Sequence, residues 1–163
     1  MIKLQQKSPN FEFRYESLGL EHLAIALSES QRIIELDLSL NDIGSDNFSL
    51  LQRVFKSNVY MELLNLAECN INGEQTTNLC TNLRTNHNIK YLYLRNNNLG
   101  KDGSEAMSNL ILDNNSMIEL DLYNCRIDEQ GGGLIANALK DNFCIEKFSI
   151  GENSILAKDI ETI

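Results

Sequence analysis

Four carboxylates in this sequence are spaced as if they could do chemistry together. The tripeptide Glu-Leu-Asp occurs twice, with its acids at Glu35 and Asp37 and again at Glu119 and Asp121. In a β-strand the two acids of each tripeptide point to the same face. Carboxylates held close together can act as general acid and base, or can ligate a metal ion. Whether the two pairs meet depends on the elements that carry them.

A second run places two tyrosines and an arginine on one face. The sequence YLYLR at 91–95 alternates leucine with Tyr91, Tyr93 and Arg95. A strand with this pattern buries its leucines and exposes the other three side chains. Tyrosine and arginine are residue types that are enriched in protein-binding hot spots. The chemistry predicted for this run is therefore binding.

The remaining candidates are four cysteines, two histidines and a run of three glycines. There is no CxxC motif, and the N-terminus shows no secretion signal, so the cysteines are expected to be free thiols. Neither histidine belongs to an HExxH or triad pattern. The glycines at 131–133 lack the Lys-Ser/Thr of a phosphate loop, so we expect them to allow close packing at a helix start. No cofactor and no metal site is predicted.

The composition of the chain indicates which class of partner it can bind. The chain has 163 residues, a common size for one domain, and 42% are hydrophobic, which is enough for one core. The net charge of −9 argues against nucleic acid and anionic membrane as partners, and favours a protein with a neutral or basic surface. No apolar run approaches the roughly 20 residues of a membrane span. A cytoplasmic location is predicted.

The elements that carry these side chains follow a repeat of 28 residues. Five segments fit the pattern LxxLxLxx(N/C)xL, in which L is any large apolar residue. They begin at Ile33, Met61, Ile89, Met117 and Ile145. The Asn/Cys position alternates strictly, as Asn41, Cys69, Asn97, Cys125 and Asn153. Repeats of this length stack, because one unit cannot bury its apolar face alone.

On these residues the chain resembles the leucine-rich repeats, and specifically their ribonuclease-inhibitor class. That class has repeats of about 28 residues, alternates Asn with Cys and carries a helix in each repeat. The resemblance covers roughly residues 17–155, although the family often alternates two repeat lengths and this chain does not. It implies an α/β leucine-rich repeat solenoid, a horseshoe with a parallel β-sheet on the concave face and α-helices on the convex face.

Local patterns add detail to each repeat. A helical segment follows each strand, and Asp102 with Glu105 predicts a capping box at one helix start. The Asn/Cys position falls where the chain leaves the strand, so we expect these side chains to satisfy backbone groups from repeat to repeat. A second asparagine series follows the helices, at Asn58, Asn86, Asn114 and Asn142. These residues are expected in turns.

The two ends are less regular. We interpret residues 1–163 as one domain, in which 1–32 form a degenerate N-terminal cap unit and the last repeat, near 145, is truncated. Residues 19–30 match a repeat helix, but no strand is recognised before them. The alternating segment 11–16 could cover the open end of the sheet. A monomer is predicted, and a homodimer through the C-terminal edge stays open.

Stacked repeats would align residues in columns across the concave face. Neighbouring strands lie about 5 Å apart, so six side chains should form one patch. We call this the tyrosine patch; it consists of Tyr91, Tyr93, Arg95, Glu119, Asp121 and Tyr123. One interpretation is that the patch is the centre of a protein-binding surface, which Glu35 and Asp37 extend. The other is that tyrosines simply suit strands and that Arg95 pairs with Asp121 or Glu119.

The spacing of neighbouring strands also keeps the carboxylate pairs, and Cys69 and Cys125, apart. The two carboxylate pairs lie three repeats apart, roughly 15 Å, which is too far for shared acid–base work or ligation. Cys69 and Cys125 lie two repeats apart, roughly 10 Å, beyond the reach of a disulfide. Both are expected to be buried turn residues.

The resemblance implies a non-enzymatic protein–protein interaction module that binds a protein ligand on its concave face. One alternative is a bacterial effector with leucine-rich repeats that acts in the cytosol of a eukaryotic host cell; small size and richness in Asn and Ile favour it. Another is a regulator of a small GTPase, like the Ran GTPase-activating proteins, although no catalytic polar residue for that role can be placed in this sequence.

Overall fold

Short strands recur at the predicted spacing and pair in parallel. The structure is a computed structural model that describes residues 2–3, 22, 25–27 and 33–160. Its strands are β1 Ile2–Lys3, β2 Glu35–Asp37, β3 Leu63–Asn65, β4 Tyr91–Tyr93, β5 Glu119–Asp121 and β6 Lys147–Ser149. Its numbered helices are α1 Gly44–Ser57, α2 Gly73–Leu83, α3 Gly100–Asp113, α4 Glu129–Lys140 and α5 Ala157–Ile160. Within the described residues the strands form one parallel sheet in the order β1 to β6.

The register of the sheet equals the sequence period. Leu36 pairs with Leu64, Leu64 with Leu92, and Leu92 with Leu120, each 28 positions apart. These middle residues are fully buried, whereas most of the flanking strand residues are only half-buried. Parallel strands need a crossover connection, which the helices supply. The predicted α/β leucine-rich repeat solenoid is confirmed.

The core runs between the sheet and the helices as one cluster. Its strand side is the leucine column described above, and its helix side includes Leu51, Leu79, Met107 and Ile135. Each of these helix residues is fully buried, and they recur 28 positions apart. The helices pack on the face of the sheet that carries the leucine column. The flanking residues lie on the opposite face, which we call the open face.

The Asn/Cys series binds neighbouring repeats together, as predicted. The Asn97 side chain accepts the backbone N–H groups of Cys69 and Ile71 and donates to the carbonyls of Leu66 and Leu94, all within 2.7–3.1 Å. These four groups lie where the chain leaves the strands, and among the described residues only the Leu94 carbonyl of the four also accepts another side chain, the Cys125 thiol. Asn153 makes the same four bonds one pair of repeats later.

The second asparagine series stabilises the turns after the helices. The Asn86 side-chain oxygen accepts the N–H groups of Asn88 and Ile89, and its amide group donates to the carbonyl of Asn58. Asn114 and Asn142 bond in the same way to the residues that follow them and to the preceding repeat. The expectation of turn asparagines is confirmed.

The helix starts differ from the prediction. α3 begins at Gly100 with Leu99 as N-cap and no side-chain cap bond, so Asp102 and Glu105 form no capping box. The capping box lies at α2, where Asn72 and Gln75 exchange side-chain to backbone bonds of 3.0 and 2.8 Å. The helix start of α3 lies earlier because Gly100 adopts a φ of +57°, which lets the chain turn at once into the helix.

An N-terminal strand exists that the period did not reveal. Ile2 pairs in parallel with Leu36, 34 positions later, so a search at 28-residue spacing passes over it. The statement that no strand precedes residues 19–30 is therefore wrong. His22 and residues 25–27 are helical, and segment 11–16 lies outside the described residues. In the part of the chain that the structure describes, no helix is long and apolar enough to cross a membrane.

Candidate functional site

Strands β4 and β5 carry the tyrosine patch on the open face. Tyr91 lies opposite Glu119 and Tyr93 opposite Asp121 in the parallel register. On the other side of β4 the same two tyrosines face Leu63 and Asn65 of β3. Because neighbouring strands lie about 4.8 Å apart, the aromatic and acidic side chains form one continuous surface.

Tyr93 lies at the centre of this surface. Burial raises the pKa of its phenol, and the charge of Glu119 and a hydrogen bond to that carboxylate raise it further, with smaller effects from Tyr91 and Asp121. Tyr93 is therefore a neutral hydrogen-bond donor near pH 7. Glu119 also forms an ion pair with Lys147 of β6 over 3.4 Å. Glu119 of β5 thus contacts side chains of both neighbouring strands, β4 and β6.

Arg95 and Tyr123 form the other half of the patch. The Arg95 guanidinium carbon lies 5.1 Å from the centre of the Tyr123 ring, which is cation–π geometry. The ring rests against Gly151, where a Cβ atom would lie only 3.2 Å from two ring carbons. The expectation that Arg95 pairs with Asp121 or Glu119 is wrong: within residues 33–160, Arg95 forms an ion pair with neither acid, and Glu119 pairs with Lys147.

Three polar residues at the ends of strands have a structural role that sequence reasoning missed. Side-chain oxygens of Asp37, Asn65 and Asp121 each accept the backbone N–H two residues later, at 3.0–3.1 Å. Such a local bond turns the backbone out of the strand. The signal was present in the sequence as a short polar residue recurring at multiples of 28. Asp37 and Asp121 therefore have a role that needs no ligand.

The acids of the two Glu-Leu-Asp tripeptides do not meet. Glu35 and Asp37 lie on β2, whereas Glu119 and Asp121 lie on β5, three strands away in the sheet. The separation is roughly 15 Å, as the spacing of strands predicts. Among the residues that the structure describes, no group of three or more His, Cys, Asp or Glu side chains could hold a metal ion.

The cysteines are free, as predicted, and three of them are buried. Burial raises the pKa of Cys69, Cys80 and Cys125 from 9.0 to about 12. Cys69 and Cys125 donate their S–H groups to the carbonyls of Leu38 and Leu94, at 3.0 and 3.1 Å. These thiols stay protonated at neutral pH and lack the thiolate that a nucleophile needs.

A polar groove of about 250 Å³ adjoins the patch where the chain leaves the strands. It is lined by Asn70, Asn96, Asn97, Asn98, Asn124 and Arg126. The exposed side chains form a ladder, in which Asn124 donates to Asn96 at 2.9 Å and Asn96 to Glu68 at 3.0 Å. Both asparagines have positive φ, which Asn tolerates better than most residues. The groove was not predicted.

Comparison with known proteins gives one family match and several relatives. A family model described as Leucine Rich repeat matches residues 31–46 and 85–108. The chain is 25% identical over 139 residues to NACHT, LRR and PYD domains-containing protein 14 of Mus musculus, covering 84% of this chain and 14% of that protein. It is also 25% identical over 137 residues to NACHT, LRR and PYD domains-containing protein 3 of Homo sapiens, covering 83% and 13%. The chain thus spans about a seventh of the length of these relatives.

Two solved structures share the fold. One is described as Leiomodin-1 Actin-Binding Site 2, with a TM-score of 0.75, 21% identity and coverage of 86% of this chain and 83% of that chain. The other is the tropomodulin C-terminal domain of Caenorhabditis elegans, with a TM-score of 0.73, 17% identity and coverage of 88% and 87%. At these identities the likeness concerns the fold alone.

Proposed function

We propose that this chain, a leucine-rich repeat protein, is a protein-interaction module that binds a protein ligand on the open, concave face of its sheet. The binding site is the tyrosine patch, extended by Glu35 at the N-terminal end of the same face; Asp37, which the sequence also places there, is buried. We place the repeats in the ribonuclease-inhibitor class because of their length of 28 residues, their helices and their Asn–Cys alternation. We place the protein in the cytoplasm, as the sequence predicts.

The observation that carries this proposal is the grouping of three tyrosines and an arginine on the open face. Tyr91, Tyr93 and Tyr123 are all half-buried, Tyr93 hydrogen-bonds to Glu119, and the Tyr123 ring rests against Gly151. A ring held in place loses little side-chain entropy when a partner covers it. Large area at low entropic cost is what makes tyrosine effective at interfaces.

The residues that could do chemistry have structural roles, which supports a non-enzymatic function. Asp37 and Asp121 bond to the backbone at the ends of their strands. The buried thiols of Cys69 and Cys125 bond to carbonyl groups. The bacterial effector and the small-GTPase regulator stay predictions from the sequence. A translocation reporter and a GTP-hydrolysis panel would test them.

The experiment is a pull-down from eukaryotic cell lysate with three baits. The first is the parent chain and the second carries Tyr91→Ala, Tyr93→Ala and Tyr123→Ala. The third is a matched control that removes exposed apolar area elsewhere, with Tyr60→Ala, Leu112→Ala and Phe143→Ala. A partner that the parent and the control capture, and the patch variant does not, would support the proposal. Equal capture by all three baits would overturn it.

Purified actin is one defined ligand for the same three baits, because one protein of similar fold is described as an actin-binding site. Sedimentation or calorimetry would measure the affinity directly. Any ligand found must meet the same criterion, which is loss of affinity in the patch variant and retention in the control.

A further inference from the structure

We propose that the tyrosine patch recognises an arginine side chain presented by its protein partner. This inference rests on the proposed function and adds the chemistry of the residue that the patch would hold. The arginine would bind between the rings of Tyr91 and Tyr93 and the carboxylates that face them, Glu119 and Asp121.

The patch already holds one guanidinium group of its own. Arg95 lies over the ring of Tyr123 at 5.1 Å, so a tyrosine on this face accepts a guanidinium group in cation–π geometry. In residues 33–160 no such cation covers Tyr91 or Tyr93. The two rings are half-buried and belong to the same face. A second guanidinium group can therefore occupy an equivalent place over β4.

Of the carboxylates beside these rings, Asp121 is open to a cation, and Glu119 already bonds to Tyr93 and Lys147. Asp121 uses Oδ1 to accept the N–H of Tyr123, and within the described ranges no lysine or arginine pairs with it. Glu119, whose side chain is 26% exposed, pairs with Lys147, whose side chain is 73% exposed. Because the lysine end of this pair lies in solvent, the ion pair contributes little and Lys147 can be displaced. A partner cation can therefore compete for Glu119 and meet Asp121 directly.

Arginine fits this binding position better than lysine does. Its planar guanidinium group stacks on a ring while its forked N–H donors reach a carboxylate beside the ring. Leu63 and Asn65 border the tyrosines on the other side and carry no charge, so they can contact the aliphatic stem. The net charge of −9 on the chain favours a basic partner.

The first test is an NMR titration of the full chain with three capped tripeptides, Gly-X-Gly. X is arginine, its neutral isostere citrulline, or lysine. We expect the arginine peptide to shift the amide signals of Tyr91, Tyr93 and Asp121, with an affinity about tenfold higher than that of the citrulline peptide. Equal affinity of the citrulline peptide would overturn the proposal. Equal affinity of the lysine peptide would overturn arginine as the recognised residue.

The second test uses a charge-matched pair of variants. Glu119→Gln with Asp121→Asn removes the two acids of the patch, and Glu105→Gln with Glu129→Gln removes two exposed acids on helices. Asparagine at 121 keeps the backbone bond, as Asn65 does at the equivalent place. We expect about a tenfold loss for the arginine peptide in the patch variant alone. Equal loss in both variants would show unspecific charge attraction and overturn the proposal.

The same variants separate this inference from the proposed function. A protein partner that the triple tyrosine variant loses, but that Glu119→Gln with Asp121→Asn retains, would leave the interaction module standing and overturn arginine recognition. A partner lost by both variants, together with a preference for the arginine peptide, would support both.

Discussion

The side-chain oxygen of Asn97 accepts the backbone N–H of Cys69, 28 residues earlier, over 3.1 Å. The same oxygen accepts the N–H of Ile71 at 2.9 Å. In the preceding repeat the equivalent N–H, of Ile43, donates to the backbone carbonyl of Cys69 instead. A side chain in one repeat thus does what a backbone carbonyl does in the next. The alternation of Asn and Cys in the sequence thus matches an alternation between side-chain and backbone acceptors.

Replacement of Asn97 by alanine should lower the free energy of unfolding by about 3 kcal/mol or more. The change removes the side-chain partner of two N–H groups and of the Leu66 and Leu94 carbonyls, in a place where Asn97 itself is buried; within residues 33–160, only the Leu94 carbonyl keeps another side-chain donor, Cys125. Its neighbour Asn98 is exposed, and Asn98→Ala should change stability by less than about 0.5 kcal/mol. Urea unfolding measures both. Similar midpoints for the two variants would contradict the role of Asn97.

Two glycines of α4, two positions apart, should respond to alanine in opposite ways. A Cβ at Gly131 would lie 2.6 Å from the Cβ of Ser104, so Gly131→Ala should destabilise the chain by about 1–3 kcal/mol. A Cβ at Gly133 would meet nothing closer than an oxygen of Asp159 at 3.6 Å. Gly133→Ala should be neutral or stabilise by up to about 1 kcal/mol, because alanine favours the helix. Thermal melts of both variants test this.

Stability should fall above pH 9 because of the buried thiols. Burial raises the pKa of Cys80 from 9.0 to about 12, so the native thiol keeps a proton that the unfolded chain has lost. The stability that the protonated Cys80 thiol gives the native state is complete below pH 9, falls as the pH rises above 9, and is lost as the pH passes through 12. The fall in the urea midpoint between pH 8 and pH 11 should be smaller in Cys80→Ala. An unchanged slope in that variant would contradict the assignment.

Thiol labelling at pH 8 provides an independent check on the same burial. Cys144 is half-buried, whereas Cys69, Cys80 and Cys125 are buried. Iodoacetamide should modify Cys144 in the native protein, and the other three only after unfolding, because the thiolate is the reactive form. Mass spectrometry of the peptides identifies the order. Equal labelling rates for all four would show that the three thiols are accessible.

The contact between Arg95 and Tyr123 should be measurable in a double-mutant cycle. Arg95→Met and Tyr123→Leu should show a coupling energy of about 0.5–1 kcal/mol, the range for an exposed cation–π pair. A cycle between Arg95 and Tyr91, which lies four residues earlier in the same segment, should show none. Coupling in the second cycle and not in the first would place the arginine on another ring.

Much of the fold follows from the sequence alone. In a solenoid each repeat contacts only its neighbours, so a constant period of 28 residues determines the strand register and the core columns. The bonding of Asn97 and Asn86 follows too, because their partners lie one period away or in the same turn. The glycines at 131–133 pack closely, as predicted, at Gly131 and Gly132.

Three features depended on the tertiary structure. β1 lies 34 positions before its partner, outside the period, so no local pattern marks it. α3 begins at Gly100 because the backbone turns there. The capping box predicted from Asp102 and Glu105 placed the helix start later, since side-chain types do not show that turn. Arg95 had several acidic and aromatic neighbours within reach, and exposed pairs differ too little in energy for sequence to rank them. The position of the Tyr123 ring against Gly151 decided that choice.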